Sequence, residues 1–187
     1  MLNYNSPIKE NKNYSDLTIK EIFPVMKLNI RGKKREFFTN VEKTLNMILP
    51  IKANTSTTSD KLTSIWLSPD EWMIFSNDII KKDNNNYELE NLLFSNISKN
   101  NIGSISDVTD QFVLINLEGK KIFDLLSSGC PINFDEFKKK VDSTTQTILN
   151  HIDVIIHHKN NNNINLFVRR SFSEHLWSWI NDASSRL

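Results

Sequence analysis

Two acidic pairs are the first residues in this chain that could do chemistry. Asp70 and Glu71 are adjacent in the stretch Ser68-Pro69-Asp70-Glu71, and Asp107 and Asp110 flank Val108-Thr109. Paired carboxylates suit general acid–base work or the binding of an amine. Both pairs also have a plainer reading. Pro69 presets φ at the second position of a tight turn, and Asp70 can accept nearby backbone N–H groups. Asp107 and Asp110 fit strand ends, where a short carboxylate caps backbone donors. His157 and His158 are neighbours in an apolar run. On a strand they point to opposite faces and cannot chelate one ion together. The expectation is one partly buried and one solvated imidazole. His175, beside Glu174 on a helical pattern, reads as a surface residue. Cys130 lies in a Gly129-Cys130-Pro131 turn with no identifiable base, so it reads as a small buried hydrophobe.

Composition narrows the function classes. The chain has 187 residues and 21.8 kDa, enough for one domain or two small subdomains. Lys and Arg number 23 against 22 Asp and Glu, for a net charge of +1. That balance gives no electrostatic case for nucleic acid or an anionic membrane. A single cysteine excludes an intrachain disulfide and a thiolate zinc site. The four glycines (Gly32, Gly103, Gly119, Gly129) make neither a G-x-G-x-x-G nor a P-loop. No apolar run approaches the roughly 20 residues that span a bilayer, and Met1 to Lys12 lacks the apolar stretch of a signal peptide. The expectation is a cytoplasmic protein. Leu, Ile, Val and Phe make 58 of 187 residues, so a packed fold is expected despite 25 Asn.

Residues 1–24 are polar and mixed and read as an N-terminal arm, poorly ordered or peripheral. Residues 25–187 then form the folded domain, in halves of about 25–108 and 109–187. Val25 to Ile30 alternates as a strand does. Phe37, Val41, Leu45, Ile48 and Leu49 recur at helical spacing, which predicts a helix over 36–48 stopped by Pro50. Leu62 to Leu67 and Trp72 to Phe75 form a hairpin, with Trp66 and Trp72 paired across it. Asn84 to Asn86 is a loop. Leu89, Leu92, Leu93 and Ile97 mark a second helix, and Ile102 to Val108 a strand. The order is β-α-β-β-α-β, the ferredoxin-like unit. A related order follows. Gln111 to Leu117 is a strand, Gly119 to Ser127 a helix, and 145–149 and 151–158 are extended. Asn160 to Asn163 is a hairpin loop, Ile164 to Val168 the return strand, and Phe172 to Ala183 the closing helix. The fold class is α+β, with two ferredoxin-like β-α-β-β-α-β halves.

The last helix carries the candidate binding residues. Phe172, Leu176, Trp179 and Ala183 share one stripe, with Ile180 at its edge. Trp177 falls about 120° from the centre of that stripe. One reading makes it an exposed anchor for a partner, since Trp is enriched at binding hot spots. The other covers it with the N-terminal arm or a local loop. Arg169 and Arg170 precede Ser171, which forms a capping-box pattern with Glu174. Their guanidinium groups would meet a partner's carboxylate or stay solvated.

Three segments carry a family resemblance. They are Leu67-Ser68-Pro69-Asp70-Glu71-Trp72; then Asp107-Val108-Thr109-Asp110 leading through Gly119 and Leu125-Leu126 to Gly129-Cys130-Pro131; and Arg170-Ser171-Phe172 running to Leu176-Trp177-Ser178-Trp179-Ile180. In order and spacing they resemble the gamma subunit of heterotetrameric sarcosine oxidase, over roughly residues 25–183. His175 stands where that family has an aromatic residue, and Lys121 and Ile122 where it has small ones.

The resemblance implies an oxidoreductase complex that demethylates sarcosine to glycine with oxygen and tetrahydrofolate. It implies alpha, beta and delta partner subunits. FAD, FMN, NAD, tetrahydrofolate and zinc would be carried by those partners, with no cofactor, metal or catalytic residue on this chain. It also implies a fold like the folate-binding domain of the glycine-cleavage T-protein. Such a chain is an accessory, non-catalytic assembly subunit. The rival readings are a free-standing folate-binding one-carbon transfer protein related to the T-protein, and a regulatory folate-binding module. Asp70, Glu71, Asp107 and Asp110 would be the only carboxylates to hold a pterin.

Overall fold

The computed structural model describes residues 6–8, 11–22, 24–79 and 86–187. Residues 84 and 85 of the expected Asn loop lie outside them. The first elements are strands β1 (Lys12–Tyr14) and β2 (Leu17–Ile22). The expected arm is therefore corrected over these residues. Leu17 and Ile19 alternate inward with Thr18 and Lys20 facing out, so burial of two side chains fixes the segment as a strand. The alternation is short and set among Lys and Asn, which hides it in the sequence.

The chain divides into two units. Val25–Thr109 forms one; Asp110–Leu187, joined by the described residues up to Pro24, forms the other.

In the first unit come β3 (Lys27–Arg31), α1 (Arg35–Leu45), β4 (Ser56–Thr58), β5 (Leu62–Ser68), β6 (Glu71–Ser76), α2 (Glu88–Leu93) and β7 (Ser104–Asp107). α2 continues as a π-helical turn, Phe94–Ser98. The antiparallel sheet runs β4-β5-β6-β3-β7. Without the short edge strand β4 this is the ferredoxin-like order. Leu28, Ile30, Trp72 and Ile74 face the helices and bury Phe37, Val41, Leu45, Leu93 and Ile97. Trp66 and Trp72 are register partners, as their flanking of the turn suggests. Trp72 Nε1 donates to the Pro50 carbonyl at 2.8 Å, and Phe37 and Phe38 pack on its ring.

α1 ends earlier than its apolar spacing predicts. Asn46 takes a left-handed conformation (φ 51°), and the Met47 N–H donates to the Glu42 carbonyl. This C-cap ends the helix before Pro50 is reached. Ile48 is consequently 72% exposed, not part of the helix's buried face. Leu92, on α2, is likewise exposed.

The second unit has β8 (Phe112–Glu118), α3 (Ile122–Ser127), α4 (Phe134–Phe137), β9 (Thr144–Leu149), β10 (Ile152–Asn160), β11 (Asn163–Arg169) and α5 (Arg170–Ser184). Its sheet order is β1-β2-β8-β11-β10-β9. The central order β2-β8-β11-β10 repeats β7-β3-β6-β5 of the first unit. Here, however, the fourth strand precedes the other three in sequence. The second half is thus ferredoxin-like only because residues 17–22 close it. Val113, Ile115, Leu117, Leu166 and Val168 bury α3 and α5 on one face of this sheet.

Two turns show why the sequence folds this way. Asn150 and His151 have φ of 49° and 64°, and make the two-residue β9–β10 hairpin turn with positive φ at both positions. Gly119 has φ 137°, and a Cβ there would stand 2.1 Å from the Asp16 carbonyl oxygen. Only glycine lets the turn between β1 and β2 approach the end of β8. Gly119→Ala should therefore cost about 2 kcal/mol, from backbone strain and loss of that approach. Equilibrium urea unfolding checks it; an unchanged midpoint would contradict this packing.

Candidate functional site

The acidic pair at the β5–β6 turn is held by its neighbours. The Ser68 hydroxyl donates to Asp70 Oδ1 at 2.8 Å, and Lys33 Nζ and an Arg31 guanidinium nitrogen each stand 3.5 Å from Asp70 Oδ2. The Ser68 hydrogen bond, followed by the charges of Lys33 and Arg31, holds the Asp70 carboxyl below the usual range. Glu71 accepts from Asn29 Nδ2 at 2.7 Å and lies 3.9 Å from Arg31 Nε. This is an engaged surface network that fixes a hairpin. Asp107 Oδ1 accepts from the Thr109 N–H at 2.9 Å, as a strand-ending carboxylate does. Asp110 is exposed.

Both central histidines are buried, which corrects the expectation that one is solvated. They do point to opposite faces. His158 Nδ1 donates to the Lys140 carbonyl at 2.9 Å, and its ring stacks on Phe137. His157 lies on the face away from α3 and α5. There it ends a row of polar side chains across three strands: Asn116 Nδ2 is 3.0 Å from Asn165 Oδ1, and Asn165 Nδ2 is 3.4 Å from His157 Nδ1. Burial above all, then the charges of Lys159 and His158, lowers the His157 pKa to about 4.

That shift carries a stability prediction. The folded state holds His157 neutral, while the unfolded chain takes up a proton near its ordinary value of 6.5. The contribution is complete above pH 6.5 and is lost as the pH falls toward 4. At 1.36 kcal/mol per pKa unit it amounts to about 3 kcal/mol. His157→Gln should flatten the stability–pH profile over that window in denaturant titrations. An unchanged slope would contradict it.

Cys130 is buried, its thiol pushed up by burial and only partly offset by the Thr147 hydroxyl 3.6 Å away. It behaves as a small core residue. Among the described residues, no group of three or more His, Cys, Asp or Glu side chains could hold a metal ion. No helix among them is long and apolar enough to cross a membrane.

α5 is rotated relative to the stripe read from its sequence. Its buried residues are Ser173, Leu176, Trp177, Ile180, Ala183 and Ser184. Trp177 is 8% exposed and belongs to the core of its unit, whereas Phe172 is 50% exposed. Trp177 is therefore no exposed anchor. The helix also starts at Arg170, directly from β11, with no side-chain cap at its N-terminus, so the Ser171–Glu174 capping box does not form. His175 is exposed, as read.

Arg169 and Arg170 are brought to the end of β11, where Arg169 is exposed and Arg170 half-buried. Arg169 opens onto a groove of about 530 Å³ on the face away from α3 and α5, together with Phe112, Gln146, Ile148, Asp153 and Phe167. The sequence gives no sign of this groove, because it depends on the register of four strands. Its chemistry is that of recognition: an apolar floor, one guanidinium, one carboxylate and one amide.

Comparison with known proteins agrees with this architecture. A heterotetrameric sarcosine oxidase from Corynebacterium sp. U-96, in complex with pyrrole 2-carboxylate, contains a chain that superposes with a TM-score of 0.80 at 20% identity. The match covers 91% of this chain and 84% of that one. The glycine cleavage system aminomethyltransferase T from Bartonella henselae shares the fold with a TM-score of 0.58 at 12% identity, over 89% of this chain but only 45% of that protein. No curated protein matches by sequence. The family model "Sarcosine oxidase, gamma subunit family" matches residues 32–186, which take in the greater part of both sheets, and the chain belongs to that family.

Proposed function

We propose that this chain is the accessory gamma subunit of a heterotetrameric sarcosine oxidase, a complex that oxidatively demethylates sarcosine to glycine. The observation that carries the reading is the family match over residues 32–186. The alpha, beta and delta chains are its partners in this proposal, and they carry FAD, FMN, NAD, tetrahydrofolate and zinc. The work of this chain is binding. Its titratable side chains support that assignment: Asp70 and Glu71 are engaged with Arg31, Lys33 and Asn29, the Cys130 thiol is raised, and His157 is buried and neutral. Arg169 and Arg170 are the polar residues we assign to meeting a partner carboxylate.

A thermal-shift titration with tetrahydrofolate separates this from a folate enzyme. A ligand that binds only the native state stabilises by RT ln(1 + [L]/Kd), about 2.7 kcal/mol at a hundredfold excess over Kd. An assembly subunit alone should show no rise in Tm. A saturable rise of several degrees would favour the one-carbon enzyme instead.

A further inference from the structure

Among the described residues four strands stand at sheet edges, and one of them is different. β1 and β4 have three residues each and β7 has four, lengths that offer little to a passing chain. β9 has six, Thr144-Thr145-Gln146-Thr147-Ile148-Leu149, with no charge, proline or glycine, and its register with β10 is unbroken. Edges in soluble proteins are normally blunted by shortness, Lys, Pro or a bulge. β9 has none of these.

The orientation of its backbone follows from the register. The His158 N–H donates to the Ser143 carbonyl, so odd-numbered residues bond toward β10 and even-numbered ones turn outward. Beyond the hairpin end, the Gly129 carbonyl accepts the Asn150 N–H. Ile148, 37% exposed, is the outward residue just before that point. Ile148 also lines two concavities. One is the groove beside Arg169, on the face away from the helices. The other, about 400 Å³, lies on the helix side and is lined by Gly129, Cys130, Pro131, His151 and Trp179 as well. A strand laid along β9 would send alternate side chains toward these two spaces. Strand addition works this way: main-chain hydrogen bonds give affinity, and pockets for alternate side chains give specificity.

We propose that an extended segment of a partner subunit, with apolar side chains at alternate positions, adds to the β9 edge at Ile148 and seats those side chains in the two concavities. This rests on the assembly reading above. The test is co-expression with the partner chains, followed by amide hydrogen exchange of the peptide covering 144–149. Ile148→Pro removes an outward N–H, and proline is tolerated on an edge in that orientation. Ile148→Lys is the second variant, and Ile51→Lys, at an 81% exposed site, the control. Expected are at least tenfold slower exchange of 144–149 in the complex, and at least tenfold lower recovery of both Ile148 variants with an unchanged unfolding midpoint. The control is recovered normally. If the wild type assembles but exchange is unchanged and both Ile148 variants are recovered fully, the β9 proposal is overturned and the assembly reading stands. If the chain alone forms a dimer that Ile148→Lys abolishes while the complex recovers that variant, the occupant is a second copy and the proposal is overturned. If the wild type fails to assemble, both readings fall.

Discussion

Deletion of residues 1–22 unfolds the second unit. β2 pairs with β8 from Thr18↔Glu118 to Ile22↔Leu114, and its Leu17 and Ile19 are buried in the core with Ile115 and Leu117. Each of these side chains contributes about 1.5–3 kcal/mol by leaving water. The ladder to β8 is lost with them, and β8 is left as a bare apolar edge. Such a loss takes a large share of the roughly 5–15 kcal/mol that stabilises a domain. The truncated chain should aggregate or show rapid amide exchange throughout 112–184, while the sheet containing Trp72 keeps its protection. Ile19→Ala is the milder version and should cost about 3 kcal/mol while folding is retained. A truncated chain with the full-length unfolding transition would show that this strand is dispensable.

Trp177→Ala costs about 4 kcal/mol of stability, the range for emptying a buried Trp site. Its indole packs into the core that holds Leu176, Ile180 and Ala183, so truncation leaves a cavity in the second unit. Phe172→Ala, at a half-exposed site on the same helix, should stay within about 0.5 kcal/mol. Urea unfolding of the two variants checks the pair. An effect on partner recovery with no loss of stability would instead return Trp177 to the surface role that its sequence neighbours suggested.

The contrast between these two helix positions explains what the sequence made legible. α5 has aromatic or aliphatic residues at 172, 176, 177, 179 and 180, wide enough to support two stripes. Which one is buried is decided by the helix starting at Arg170 straight out of β11, a tertiary constraint with no local signal. Elements that are nearly continuous apolar runs rich in Ile, Val, Leu and Phe, such as β8, β10 and β11, were readable as strands from composition and length. The Trp66–Trp72 pairing was readable too, because both residues flank the turn, although it takes a register shift between Trp66 and Ser68 to set them opposite each other. β2 was not readable, since its partner lies about a hundred residues on and two buried side chains make a faint pattern. Asn46 ended α1 by a left-handed cap, where Pro50 looked like the stop. His157 and His158 were correctly set on opposite faces. Their joint burial depends on Asn165 and Phe137, which register and folding bring beside them. The groove at Arg169 needs four strands in register before it exists at all.

The family and the β9 edge both point to a chain that works in company. The most direct test is co-expression of the full-length chain with the three larger-complex partners, recovery through a tag on this chain, and native mass measurement of what is recovered. The assembly account predicts a yellow four-chain complex that oxidises sarcosine. A colourless monomer that ignores the partners would contradict it.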